Sequence, residues 1–273
     1  MTNVVPIRRG SLPGIGVAST ASEGTRIAGS RNEVWQCAAY DSDGRGRVLF
    51  VKPALGLRGI LIEILCAQVG QCMGLPCLTP FIVTANPTHL GRPPGRKIIA
   101  FGSELVGRLS FVINDTDILL RELDRQKVTE TLFCFDEFIA NSVRGPRDIV
   151  FDPVAGAVII DHEGAMGSGV LPADGVTNWI ADRVLERIEQ RHLPLLLKRL
   201  RAKAAVLNEF QLGPIPSAVQ FDQRGVSTYT ELLEFLQARL GELDRLLSQR
   251  VLPQQSYVKP IEDTDETGGA TGV

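Results

Sequence analysis

Three ionisable residues, each in or beside an apolar segment, have the types and the order that phosphate chemistry requires. Lys52 follows the apolar run 48–51, Glu63 lies in the apolar segment 60–67, and Asp161 follows the apolar run 157–160. Phosphoryl transfer from ATP needs a lysine on the phosphates, a carboxylate that holds this lysine, and a carboxylate on Mg²⁺. The order Lys52, Glu63, Asp161 therefore predicts a site for ATP and Mg²⁺ in which these residues are catalytic.

A glycine-serine turn, Gly29-Ser30, comes before the first strongly strand-like segment. Backbone N–H groups in such a turn can surround phosphate oxygens, so the turn is a further candidate for binding the nucleotide. Each of these residues also has an ordinary interpretation. Lys52 and Glu63 are compatible with solvated surface positions, and Gly-Ser turns are common in N-terminal segments.

The elements that must position these side chains change character along the chain. A hairpin around Asp43-Gly44, a helix over 57–73 and strands over 78–84 and 97–101 are predicted for the first half. Helices dominate the second half, interrupted by a short hairpin over 149–160, and Pro194 is expected to divide the helical segment 174–208.

This pattern predicts an α+β protein with two lobes. A small β-rich N-lobe spans 29–106, and a mostly helical C-lobe with the metal-site hairpin spans 107–251. Residues 1–28 are expected to form a flexible arm, because they contain few large apolar groups. Residues 252–273, which are rich in Gly and acidic side chains, are expected to form a disordered tail.

The sequence resembles the HipA-like kinases, bacterial relatives of protein kinases whose metal-binding end also resembles that of phosphoinositide kinases. The segment 62–76, which ends in Gly-Leu-Pro, resembles the family's glutamate-bearing helix and its exit. Residues 100–106 resemble the segment between the lobes. The sequence Phe-Asp-Glu-Phe-Ile-Ala-Asn at 135–141 resembles the helix before the catalytic loop, and Ile-Asp-His-Glu-Gly at 160–164 stands at the metal-binding motif.

The resemblance, which covers about residues 29–200, implies a protein-kinase-like fold. It implies that the adenine of ATP lies against the backbone of Glu104, Leu105 and Val106. It also implies that Asp161 binds Mg²⁺ and that an active relative would phosphorylate Ser or Thr of a protein.

The catalytic loop departs from the family pattern. The family continues x-Asp-Arg-His-x-x-Asn after the Ala-Asn pair, whereas residues 142–148 here read Ser-Val-Arg-Gly-Pro-Arg-Asp. Val143 takes the place of the catalytic aspartate and cannot accept a proton. Asp148 replaces a metal-binding asparagine and, as a hard oxygen ligand, is predicted to bind Mg²⁺ with Asp161, although it could also cap the loop. Arg144 and Arg147 are interpreted as solvated loop residues, with a contact to phosphate as the alternative.

Three functional classes follow from this departure. The first is a nucleotide-binding, pseudokinase-like protein with impaired transfer, which acts through regulation or partner binding. The second is an active phosphotransferase whose base has moved to Asp136, Glu137 or Asp148. The third is an interaction protein that has kept the fold and lost the nucleotide.

The composition limits the classes of partner that we expect for this protein. The 273 residues include 29 Lys plus Arg and 31 Asp plus Glu, for a net charge of −2, which argues against a broad basic face for nucleic acid. No apolar run reaches the length of a membrane span, and the basic N-terminus is not followed by the apolar stretch of a secretory signal. Five cysteines without a C-x-x-C pair indicate reduced thiols. We therefore expect a cytoplasmic protein whose partners are a nucleotide and a protein substrate or regulator.

Overall fold

A closed sheet forms the first part of the protein. The computed structural model describes residues 14–30, 32–104, 110–209 and 223–253. The strands of the larger sheet are β1 (Gly16–Thr20), β2 (Thr25–Arg26), β3 (Trp35–Asp41), β4 (Gly46–Lys52), β5 (Pro80–Ala85) and β6 (Ile98–Glu104). Their order is β1-β5-β6-β4-β3-β2, and β1 also pairs with β3, so that five strands close on themselves around an apolar interior.

One helix, α1 (Gly56–Cys72), connects this sheet to the rest of the molecule. It is buried on nearly all sides, because it packs against two different partners. Ile60 and Ile64 pack with Ile82 and Phe101 of the sheet, whereas Leu61 belongs to the larger core of the helical part. The helix ends at Cys72, and the left-handed Gly74 follows its C-cap, Met73, in the Gly-Leu-Pro segment that the sequence predicts as the stop.

The second part is mostly helical, with a small sheet. Its elements are β7 (Phe111–Val112), α2 (Thr116–Arg125), α3 (Thr129–Phe138), β8 (Ile149–Asp152), β9 (Gly156–Ile159), α4 (Trp179–Arg187), α5 (Leu193–Ala205) and α6 (Gln223–Val251). Helix α3 is apolar and buried along its length, and both α5 and α6 pack on it. The division of the segment 174–208 next to Pro194 is confirmed, since Pro194 lies in the first turn of α5.

The chain is thus a mixed α and β protein in which a β-rich part precedes a mostly helical part, as the sequence predicts. The prediction of a flexible arm over 1–28 is wrong for residues 16–20, which form β1 between β5 and β3. Small side chains suit this position: a Cβ on Gly16 would lie 2.3 Å from the ring of Phe81. Residues 1–13 of the arm and 254–273 of the tail lie outside the described residues.

Helix α2 is not predicted from the sequence. Asp115 caps its N-terminus by accepting a hydrogen bond from the Ile118 N–H at 2.9 Å. None of the helices in the described parts of the chain is long and apolar enough to cross a membrane.

Candidate functional site

The side chains of Lys52, Glu63 and Asp161 meet at one point of the structure. Lys52 ends β4, Glu63 lies in α1, and Asp161 lies two residues after β9. The Lys52 Nζ is 2.5 Å from the Glu63 Oε1 and 3.2 Å from the Asp161 Oδ1. The side chains are 13% exposed for Lys52, 1% for Glu63 and 28% for Asp161. The site is therefore nearly closed at Glu63 and open at Asp161.

Burial and charge act in opposite directions on the two inner groups. Burial raises the pKa of Glu63, and the Asp161 charge adds to this, while Lys52 and the N–H of His162 favour the carboxylate. The N–H of His162 donates to the Glu63 Oε2 at 2.9 Å. Burial tends to lower the pKa of Lys52, but Glu63 and Asp161 outweigh it and the pKa is raised. Lys52 is therefore a stable ammonium group, which is the form that binds phosphate.

Asp161 has an unusual backbone. Its φ of +59° lies in the left-handed region, which costs a non-glycine residue about 1–3 kcal/mol and is frequent at functional sites. The carbonyl of Ile160, directly before it, accepts a hydrogen bond from the Arg144 Nη1 at 2.8 Å. Arg144, in the loop that follows α3, thus holds the backbone beside Asp161 in place.

Glu163 belongs to the site, although it is not among the residues selected from the sequence. Ligand oxygens of Glu63, Asp161 and Glu163 lie within 4.8 Å of one another, a group of hard oxygens that could hold a divalent cation. The Oε1 of Glu163 accepts a hydrogen bond from the Asn32 Nδ2, and its Oε2 is buried without a hydrogen-bond partner. Its spacing, two residues after Asp161, is the signal that could have identified it.

The Gly29-Ser30 turn lies beside this acidic cluster, because Asn32, which contacts Glu163, is two residues further on. Gly29 has a φ of +76°, and the Ser30 Oγ donates to the Asn32 carbonyl at 2.6 Å. Residues 26–30, 32 and 33 line a cavity of about 280 Å³. The turn therefore lines this cavity together with Asn32, whose side chain contacts Glu163.

The predicted adenine segment is described only at its start. Glu104 ends β6, and its Oε1 is 2.5 Å from the Arg47 Nη1. Leu105 and Val106 lie outside the described residues.

Asp148, the second predicted metal ligand, lies in the loop before β8. Its Oδ2 accepts a hydrogen bond from the Gly145 N–H at 2.8 Å, and its carbonyl accepts one from the Ile160 N–H. Burial raises the pKa of Asp148, and the charge of Asp161 acts in the same direction. Asp148 is not part of the close group formed by Glu63, Asp161 and Glu163. Its role as a metal ligand stays a prediction.

Two of the three candidate relocated bases are buried in ion pairs. Asp136 lies 2.8 Å from the Arg144 Nε, and burial raises its pKa to about 6, against the effect of this cation. Glu137 is 2.6 Å from the Arg250 Nε and also pairs with the buried Arg239. Both carboxylates are closed off from solvent, so neither is placed to take a proton from a substrate.

Val143 packs against the segment that follows Asp161. It is 48% exposed, and a Cβ built on Gly164 would lie only 1.9 Å from the Val143 Cγ2. The valine therefore occupies the space above Gly164.

We expect Gly164→Ala to destabilise the protein by about 1–3 kcal/mol, because the new methyl group overlaps Val143. Urea unfolding measures the loss. The double variant Val143→Ala with Gly164→Ala should recover part of it, since the overlapping methyl is removed. If Gly164→Ala lowers the free energy of unfolding equally in the wild type and in the Val143→Ala protein, the contact between the two side chains is contradicted.

Comparisons with known proteins give structural neighbours only. No protein-family profile matches the sequence, and no curated protein sequence matches it. A proinflammatory kinase from Helicobacter pylori, CtkA, is similar over 86% of this chain and 98% of its own, with 10% identity and a TM-score of 0.49. Two structures of CtTel1 match 85% of this chain and 12% of theirs, with 15% identity and TM-scores of 0.31 and 0.29. These values are too low to transfer an activity to this chain.

Proposed function

We propose that this protein binds ATP together with Mg²⁺ in a two-lobed, protein-kinase-like fold, and that its phosphoryl transfer is impaired. The observation that carries the proposal is the position of the Lys52 ammonium between the carboxylates of Glu63 and Asp161. A buried lysine–glutamate pair beside a carboxylate is the arrangement that phosphoryl-transfer enzymes use to receive nucleotide phosphates.

Each residue has a distinct role in this proposal. Lys52 binds phosphate oxygens, and Glu63 keeps it charged and oriented. The N–H groups of the Gly29-Ser30 turn cover the phosphates. Asp161 holds Mg²⁺, with Asp148 or Glu163 as a second oxygen ligand, and the ion would neutralise phosphate charge when bound.

The impairment follows from the loop after α3. Val143 offers no proton acceptor, and Asp136 and Glu137 are buried in ion pairs. A missing general base typically costs about 10²–10⁴-fold in rate, whereas binding and orientation of the nucleotide do not depend on it. Asp148, the third candidate base, is assigned to Mg²⁺ in this proposal, so binding without efficient transfer is the consequence.

Calorimetric titration of ATP, with and without Mg²⁺, tests the proposal. We expect Mg²⁺ to strengthen ATP binding to the wild type, and Asp161→Ala to lose this effect, because Asp161 is the proposed metal ligand. Asp244→Ala is the matched control, since Asp244 is an exposed carboxylate of α6 that pairs with Arg201 at the surface. Absence of binding in all three proteins would refute the nucleotide site and favour a nucleotide-free interaction protein.

A further inference from the structure

Arg144 is a buried residue of the loop between α3 and β8, with 4% of its surface exposed. Its Nε donates to both carboxylate oxygens of Asp136, at 2.8 and 2.9 Å. A pair of this kind neutralises the buried aspartate. Three further contacts of the same guanidinium go to residues 160–162, the segment that carries Asp161.

The longest of these contacts, at 3.5 Å, joins the Arg144 Nη1 to the carbonyl of Asp161 itself, and the two shorter contacts lie on either side of Asp161. The Nη1 of Arg144 donates to the Ile160 carbonyl at 2.8 Å, and its Nη2 is 3.0 Å from the His162 Nδ1. A guanidinium has only donors, so the Nδ1 must accept. His162 is therefore neutral, with its proton on Nε2.

His162 extends the connection to the opposite side of the site. Its backbone N–H donates to the Glu63 Oε2, and Glu63 in turn binds Lys52. Hydrogen bonds, together with the covalent bonds between the ring and the backbone of His162, thus form a path that connects Asp136 in α3, through Arg144 and Glu63, to the lysine. Asp161 lies inside this path, in a left-handed conformation that must be held by its neighbours.

We propose that Arg144 is a positioning residue that holds the Ile160 carbonyl before Asp161 and the His162 side chain after it, and so keeps the Asp161 carboxylate against Lys52. Neutralising Asp136 alone would need only the Nε contacts. The contacts of Nη1 and Nη2 are the ones that hold the segment around Asp161. The consequence for nucleotide binding rests on the proposed function, whereas the consequence for the backbone does not.

The first test is amide hydrogen exchange at His162, measured by NMR on the free protein. Arg144→Lys keeps a cation for Asp136 but cannot reproduce the forked contacts. We expect exchange of the His162 amide to be faster by about tenfold or more, because the bond to Glu63 loses its support.

Arg239→Lys is the matched control. Arg239 is also fully buried and donates to backbone carbonyls, at 2.8 Å to Glu137 and Asp174 and at 3.0 Å to Pro172, all of them outside residues 160–162. This variant should lower stability without changing exchange at His162. Equal exchange rates in the two variants would overturn the proposal.

The second test is the effect of Mg²⁺ on ATP affinity in the folded variants. Arg144→Lys should weaken Mg²⁺-dependent binding by about 10–100-fold and leave metal-free ATP binding unchanged, as for other residues that orient a metal ligand. Unchanged Mg²⁺ dependence in Arg144→Lys would count against Arg144. If the wild type binds no ATP, the proposed function fails, while hydrogen exchange still decides the role of Arg144.

His162→Phe serves if Arg144→Lys does not fold. It removes only the acceptor of the Nη2 contact and keeps the pair between Arg144 and Asp136. Faster exchange of the residue 162 amide would support the path, and unchanged exchange would overturn it.

Discussion

Lys52→Met is expected to destabilise the protein by about 3–5 kcal/mol at neutral pH, because it leaves the buried Glu63 carboxylate without its cation. Glu63 is 1% exposed, and the Lys52 Nζ is 2.5 Å from its Oε1. Methionine has a similar length and fills the space, so the loss reports the missing charge rather than a cavity. Urea unfolding of the two proteins measures it.

The loss should depend on pH in a defined direction. Burial already raises the pKa of Glu63 above its ordinary value of 4.5, with Lys52 acting against this. Without Lys52 the pKa of Glu63 rises further. The folded state then binds a proton more tightly than the unfolded state, and it gains relative stability as the pH falls through the raised pKa. The difference in the free energy of unfolding between Lys52→Met and the wild type should be smaller at about pH 5 than at about pH 8.

The double variant Lys52→Met with Glu63→Gln is the control for charge. Glutamine keeps an oxygen that can accept the hydrogen bond from the His162 N–H and carries no charge. Most of the stability should return, since no buried charge is left unpaired. A single Lys52→Met variant as stable as the wild type at about pH 8 would show that the pair is not energetically coupled.

The positions of Lys52, Glu63 and Asp161 could be anticipated because each lies in or beside a local apolar segment. The local sequence patterns predict strand β4, helix α1 and strand β9. An ionisable group in or beside such a buried element is a candidate for a functional site. That the three side chains would meet was a hypothesis, since Asp161 is 109 residues from Lys52 along the chain. The structure brings them together.

Strand β1 and residues Glu163 and Arg144 were missed for one physical reason, which is that their importance comes from distant partners. Strand β1 has few large side chains and is ordered by pairing with β5 and β3. Glu163 contacts Asn32, which is 131 residues away. Arg144 follows an exposed valine and precedes Gly145-Pro146, which is typical of a surface loop, yet the fold buries it between α3 and the Asp161 segment. The local sequence carries no information about the contacts of β1 and Arg144, and for Glu163 its only signal is the spacing from Asp161.

Val143→Asp is expected to raise phosphoryl transfer by about 10²–10⁴-fold, if the missing proton acceptor is what limits the reaction. Aspartate branches at Cγ and valine at Cβ, so the new carboxylate extends one atom further from the backbone, and it remains hydrated because residue 143 is 48% exposed. Stability should change by only about 0.5 kcal/mol, as for most exposed positions. Incorporation of the γ-phosphate of ATP into protein, together with phosphate release, measures the gain.

Val143→Asn separates the base from the shape of the side chain. Asparagine matches aspartate in size and polarity but is not a base at neutral pH, so it should leave transfer at the wild-type rate. An equal gain in both variants would mean that polarity or loop geometry, and not proton acceptance, limits transfer. If Val143→Asp binds ATP and Mg²⁺ as the wild type does and still gains nothing, then Val143 does not explain the impairment. Incorrect positioning of the phosphates relative to Lys52 and Asp161 would then limit the rate, because transfer depends on positioning as much as on the base.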